Sequence, residues 1–163
     1  MKFLGKSAVF LAAWVVGMAA ARADVQVAHA WARATVPGQP AAGVFMELTP
    51  DADTRLVDVE SPAAEHAEIH EMAMQDNVMR MRQIAALDLP AGQTVALAPG
   101  GYHIMLLGLA KQLKEGEQVA LTLVFERDGQ REAMKLDVPV RALTHGGAGA
   151  GHSGGHGHPH GSR

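Results

Sequence analysis

Residues 119–140 read VALTLVFERDGQREAMKLDVPV, and this stretch decides the fold class. Large apolar side chains recur at every second position through residues 119–126 and again through 132–140, and Asp128-Gly129 separates the two runs. Successive side chains of a strand point to opposite faces, and Asp-Gly is among the strongest signals for a tight turn between antiparallel strands. The stretch therefore predicts a β-hairpin with one face in a core.

The chain on the N-terminal side of this hairpin repeats the pattern of short strands and turns. Strand-like segments lie at residues 25–35, 43–48, 56–59, 69–74, 78–84, 94–97 and 102–107. Regularly spaced short strands favour a β-sandwich or barrel. Residues 62–67 and 108–114 are each long enough for one helical turn, which leaves the class unchanged. We predict a single all-β domain over residues 24–143.

Histidine and methionine concentrate on three of these predicted strands. The set is His70, Met72, Met74, Met79, Met81, His103 and Met105. Residues two apart on a strand face the same side, so we expect His103 and Met105 to project together. If residues 76–77 form a two-residue turn, Met72 lies opposite Met81, with His70 diagonal to Met81 and within reach of a long side chain. The other strand would bring His103 and Met105 from another part of the sandwich.

This combination of donors points to copper. Thioether sulfur is soft and neutral, which suits Cu(I) and is poor for zinc, calcium or magnesium. The chain contains no cysteine, so sites that need a thiolate, including the blue-copper electron-transfer type, are excluded. Methionine on a strand is more often core filler, and we give that interpretation to the isolated Met46 and Met134. We expect His29 and His66, which sit apart from the cluster, to be structural or exposed.

The N-terminus has the features of an export signal. Lys2 and Lys6 give a positive start, residues 8–20 are largely apolar, and the sequence Ala-Arg-Ala ends at Ala23. This pattern predicts a secretory signal peptide over residues 1–23, cleaved after Ala23; a membrane anchor is the competing interpretation, but the apolar run is short for one. No later segment is apolar enough to span a membrane, so we expect a periplasmic protein.

Composition bounds the mature protein further. Removing residues 1–23 from 163 leaves 140, about the size of one domain. The formal net charge moves from −3 to −6, because the removed segment holds Lys2, Lys6 and Arg22 and no acid. A mildly acidic chain without a basic cluster argues against nucleic acid as a partner. Without cysteine the exported fold has no disulfides and must rest on its apolar core.

The composition changes abruptly at Thr144. Residues 144–163 are mostly Gly, His, Ser and Ala, and a segment without large apolar residues cannot bury a core, so we predict a disordered tail. Its histidines are His145, His152, His156, His158 and His160. Spaced imidazoles suit Cu(II), so we expect auxiliary Cu(II) binding there. The alternative is a tail that only aids solubility.

The spacing of four of the donors resembles a known family. His70, Met81, His103 and Met105 match the H-x10-M-x21-H-x-M signature of the periplasmic PCuAC copper chaperones. The surrounding sequence is also similar, in AWARAT (30–35), IHEM (69–72), VMRMR (78–82) and GGYHIML (100–106). The resemblance covers residues 25–140. A four-residue pattern at two long, fixed spacings is a specific match.

The resemblance implies a fold, a metal and a role. It implies a cupredoxin-like β-sandwich in which His70, Met81, His103 and Met105 bind Cu(I). It further implies delivery of copper by ligand exchange to the CuA-bearing subunit of cytochrome c oxidase, with a thiol-bearing copper chaperone as a second candidate partner. Such a carrier is not an enzyme.

Three alternatives remain open from the sequence. Copper tolerance or storage would use the same donors without transfer. A copper oxidase or dismutase normally needs a His-dominated site that tolerates Cu(II), whereas two thioethers favour the reduced ion. A structural or adhesive sandwich with a methionine-rich core would bind no stoichiometric copper.

Overall fold

The computed structural model describes residues 24–144, and within that range it contains strands and turns and no helix. The strands are β1 (Val25–Arg33), β2 (Ala41–Pro50), β3 (Thr54–Glu60), β4 (Ala64–Gln75), β5 (Val78–Gln83), β6 (Leu87–Leu89), β7 (Val95–Leu97), β8 (His103–Leu109), β9 (Gln118–Arg127) and β10 (Gln130–Arg141). The predicted signal peptide and all five histidines of the predicted tail lie outside the described residues.

The strands follow the order β5-β4-β8-β2-β1-β10-β9-β3-β6, and β7 also pairs with β2. All neighbours are antiparallel except β1 and β10, which join in parallel where Ala32 meets Val140. The β1–β10 junction connects two halves, which enclose one core between them. The result is a β-sandwich, as the spacing of short strands predicted.

The core comes from alternating positions on both halves. Val44, Ile104 and Leu106 contribute from one half, and Leu123 and Phe125 from the other, all almost fully buried in a single cluster. Alternate burial along β9 reproduces the period of two that the sequence shows. Met46 is buried in this core and Met134 packs against it, which confirms their structural assignment.

Both predicted hairpins are present, and the one around residues 76–77 has the predicted register. Gln130 pairs with Arg127 around Asp128-Gly129, and Gln75 pairs with Val78 around residues 76–77. Asp76 and Asn77 have φ angles of 51° and 61°, and Asp128 has φ of 50°. Positive φ at both central residues characterises the type I′ turn, whose twist matches that of the flanking strands.

Two details of the sequence-based prediction were wrong. The candidate helical turn at residues 62–67 is mostly the start of β4, where Ala64 pairs with Leu109, and residues 108–114 contain the end of β8 and a bend. Cross-strand pairing outweighs the weak local preference for helix at residues 64–67. The short strand β6, which pairs with β3, was not predicted.

Candidate metal centre

The four predicted donors lie on three neighbouring strands. His70 on β4 pairs directly with His103 on β8, and Met72, two residues beyond His70, pairs directly with Met81 on β5. His70 and Met81 are therefore diagonal neighbours on one face, as predicted. The expectation that His103 and Met105 come from another part of the sandwich was wrong, because β8 is the direct neighbour of β4. The group lies beside the sheet edge that β5 forms.

These donors point away from the core. Ile69 and Ile104, which alternate with His70 and His103, are buried in the core, so the donors occupy the outer face of the sheet. On the other side of the hairpin, Glu71 forms an ion pair with Arg82. The alternation of strand side chains thus separates the donor face from a charged face.

The His103 ring is fixed by one hydrogen bond and directed at a sulfur atom. Its Nδ1 lies 3.0 Å from the carbonyl oxygen of Gly101. A carbonyl only accepts, so Nδ1–H donates, and in the neutral ring the lone pair is then on Nε2. Nε2 lies 3.1 Å from Met81 Sδ. Two lone-pair donors, one nitrogen and one sulfur, thus face the same small space.

The His70 ring has the opposite arrangement. Its Nε2 lies 2.7 Å from Glu68 Oε2, whereas its Nδ1 is buried and has no hydrogen-bond partner among the residues that the structure describes. A carboxylate accepts, so Nε2–H donates and the lone pair is on Nδ1. A buried polar atom without a partner is costly, and histidine held by a carboxylate through one nitrogen is a common arrangement of metal ligands. The His70 and His103 ring centroids are 5.8 Å apart.

A cavity of about 400 Å³ opens onto this face, and Met72, Met81, His103 and Met105 contribute to its lining. His70 is not one of the lining residues and is only 8% exposed, whereas Met81 is 50% exposed. The site therefore has two sheltered imidazoles, since His103 is also buried, and one thioether in contact with solvent.

The aromatic ring of Phe45 also lines the cavity. The Phe45 ring centroid lies 6.3 Å from that of His103 and 4.5 Å from that of Trp31. Gly43, which pairs with Met105, makes room for this ring, because a Cβ there would lie 2.8 Å from Phe45 Cζ. The Arg33 guanidinium stacks over the Phe45 ring at 5.5 Å from its centroid.

The described residues contain no comparable site for a hard metal ion. Within residues 24–144 no group of three or more His, Cys, Asp or Glu side chains is placed to hold a metal ion. His29 is largely exposed and contacts Glu47 at 3.1 Å, and His66 is also exposed, as expected for residues outside the cluster.

Glu68, Gly43 and Phe45 were not predicted from the sequence as residues of the site. The position of Glu68, two residues before His70, was a usable signal, since the two side chains had to share a face of any strand. The contacts of Gly43 and Phe45 depend on β2 lying beside β8, which no local pattern indicates.

Comparison with known structures identifies the family of this fold. The structure is similar to the copper-bound PCuAC domain from PmoF2 (28% identity, TM-score 0.59, covering 72% of this chain and 92% of that one) and to the apo PCuAC domain from PmoF1 (30%, 0.59, 72% and 93%). It is also similar to apo-DR1885 from Deinococcus radiodurans (25%, 0.55, 86% and 97%). The fold is thus the cupredoxin-like β-sandwich of PCuAC domains, as the resemblance implied.

The sequence comparisons agree over the same region. The family model described as "Putative lipoprotein LpqE-like" matches residues 25–140, and the chain belongs to this family. A relative from Leifsonia xyli subsp. xyli (strain CTCB07), "Putative lipoprotein Lxx21020", is 35% identical over 121 residues, which cover 74% of this chain and 71% of that protein. Among residues 24–144 there is no helix long and apolar enough to cross a membrane.

Proposed function

We propose that this protein is a copper chaperone that holds Cu(I) with His70, Met81, His103 and Met105. The observation that carries the proposal is the His103 Nε2–Met81 Sδ distance of 3.1 Å, beside a buried His70 Nδ1 that has no partner within the described residues. Two neutral nitrogens and two neutral sulfurs form a soft shell without charge, which favours Cu(I) over harder divalent ions. The copper-bound state of the similar domain from PmoF2 supports this assignment.

The hydrogen bonds also support a particular choice of ligand atoms on the two rings. His103 would use Nε2, because Nδ1–H is held by Gly101, and His70 would use Nδ1, because Nε2–H is held by Glu68. Each ring is thereby oriented before the metal arrives, which lowers the cost of ordering the site on binding. Neither nitrogen has to lose a proton in its neutral ring, and thioethers have none to lose.

The exposure of Met81 at the site supports a role in transferring copper to an acceptor. Met81 lies on the edge strand and is half-exposed, so an acceptor's ligand can replace its sulfur while the sheltered His70 still holds the ion. The protein then acts as a carrier by stepwise ligand exchange and transforms no substrate. We propose the CuA-bearing subunit of cytochrome c oxidase as the acceptor, with a thiol-bearing copper chaperone as an additional partner.

The location and the tail complete the proposal. Membership of a family described as lipoprotein-like supports an exported protein, and we propose the periplasm after cleavage at Ala23. We propose that His145, His152, His156, His158 and His160 add a Cu(II) site. Truncation at Thr144 tests this Cu(II) site. If the Cu(II) stoichiometry does not change on truncation, the tail does not bind Cu(II) and this part of the proposal is wrong.

Anaerobic competition for Cu(I) against a chromophoric chelator tests the site. Wild type should bind one equivalent of Cu(I) tightly, and Met81→Leu and His103→Ala should each lower the Cu(I) affinity. Met134→Leu on β10 serves as the matched control. Equal affinities for all four proteins would contradict the assignment. Mixing the loaded protein with an apo CuA domain then tests delivery: retention of the metal would favour storage.

A further inference from the structure

The hairpin formed by β4 and β5 carries three thioethers that the four-donor site does not use: Met72, Met74 and Met79. Met74 is 65% exposed and Met79 46%. Of the six exposed large hydrophobic side chains in residues 24–144, four lie on this hairpin, so their exposure is concentrated and not incidental.

Strand register places these sulfurs on the donor face. Met74 pairs directly with Met79, and Met72 pairs directly with Met81. Directly opposite Cβ atoms are about 4.5–5.5 Å apart, and successive pairs on one face are about 7 Å apart, distances that flexible methionine side chains can close around one ion. The left-handed turn at residues 76–77 fixes this register.

Met72 connects this group to the four-donor site. It lines the same cavity as Met81, His103 and Met105, whereas Met74 and Met79 lie one pair further towards the hairpin tip. Met81 Sδ is directed at His103. The thioethers therefore form a continuous series from solvent to the imidazoles.

We propose that Met72, Met74 and Met79 form a second, weaker Cu(I) site, from which the ion enters the four-donor site; the second half of this inference rests on the proposed function. Three neutral thioethers match Cu(I) in softness but lack imidazole, so they bind it less tightly. In each step one Cu–S or Cu–N bond replaces another, and copper keeps its +1 charge throughout.

Methionine ε-methyl NMR of the full chain with Ag(I), a diamagnetic soft monovalent ion, tests this inference. In the double variant His103→Ala/Met105→Leu, the methyl signals of Met72, Met74 and Met79 should shift together as Ag(I) is added. Adding Met74→Leu should abolish the shift at Met79, because a chelate loses its affinity when one donor is lost. Adding Met134→Leu instead should change nothing.

If the methyl signals of Met72, Met74 and Met79 do not shift as Ag(I) is added, the inference is overturned. The exposed hairpin would then be a contact face for a protein partner. A shift at Met79 that survives Met74→Leu would also overturn the inference, because it would show independent, non-chelating contacts. In wild type, shifts at Met81 and Met105 report the four-donor site separately, so failure of either site is distinguishable from failure of the other.

The entry step has its own readout. With Met74→Leu/Met79→Leu, the equilibrium affinity of the four-donor site should be unchanged, while uptake of Cu(I) from a chelator complex should slow severalfold in stopped-flow absorption. Uptake at the wild-type rate would contradict the entry role even if the hairpin binds the ion.

Discussion

The Glu68–His70 hydrogen bond offers a prediction whose size follows from the structure. Glu68 Oε2 lies 2.7 Å from His70 Nε2, and the His70 side chain is only 10% exposed. Loss of such an outer partner of a metal-binding histidine typically lowers metal affinity roughly 10–100-fold, and each tenfold step corresponds to about 1.4 kcal/mol of binding free energy. Glu68→Gln keeps an acceptor oxygen for Nε2–H and should fall near the tenfold end, whereas Glu68→Leu removes the bond and should approach a hundredfold.

Glu71→Gln is the matched control for these two variants. Glu71 lies on the same strand as Glu68, but it pairs with Arg82 on the opposite face. Cu(I) competition against a chromophoric chelator gives the affinities. Nitrogen-15 NMR of the His70 ring gives a second readout, with Nε2 protonated in the wild-type apoprotein and a mixture of tautomers in Glu68→Leu. Equal affinities for Glu68→Leu and Glu71→Gln, or a proton on His70 Nδ1 in the wild-type apoprotein, would show that Glu68 does not orient the His70 ring for the metal.

Three further predictions concern stability and the shape of the site. Cu(I) at about 100 times the wild-type Kd should raise the free energy of unfolding of wild type by about 2.7 kcal/mol in urea titrations. An equal gain in His103→Ala at the same Cu(I) concentration would contradict the proposed site. Gly43→Ala should lower stability by about 1–3 kcal/mol and weaken Cu(I) binding, since its Cβ would press on the Phe45 ring; an unchanged urea midpoint and affinity would show that the ring yields freely. Asn77→Val should cost about 1–3 kcal/mol at a φ of 61° and increase hydrogen exchange in β5, whereas Asn77→Gly should not, and equal exchange in both variants would argue against turn strain.

Local signals in the sequence were sufficient for the hairpins. Asp128-Gly129 and residues 76–77 have turn chemistry at fixed positions, and the period of two on either side determines which residues face each other. The pairing of Met72 with Met81 followed from these rules alone. Candidate donors were likewise recognisable, because soft side chains are few and repeat at strand spacing.

The features that could not be predicted from the sequence depend on pairing between strands that lie far apart along the chain. No local pattern places β8 between β4 and β2, yet that order brings His103 opposite His70 and sets Gly43 beside Met105. The three-residue strand β6 was not predicted, because it is defined by its pairing with β3, which lies far along the chain. The incorrect helical turn at residues 62–67 has the same origin, since its backbone pairs with β8, which lies far along the chain.

X-ray absorption at the copper K-edge of the Cu(I)-loaded protein shows which atoms bind the ion. We expect two sulfur and two nitrogen scatterers around one copper ion, with one sulfur lost in Met81→Leu and one nitrogen lost in His103→Ala. A shell of nitrogen and oxygen alone, or a shell unchanged by both substitutions, would contradict the claim that these two imidazoles and two thioethers bind the same ion.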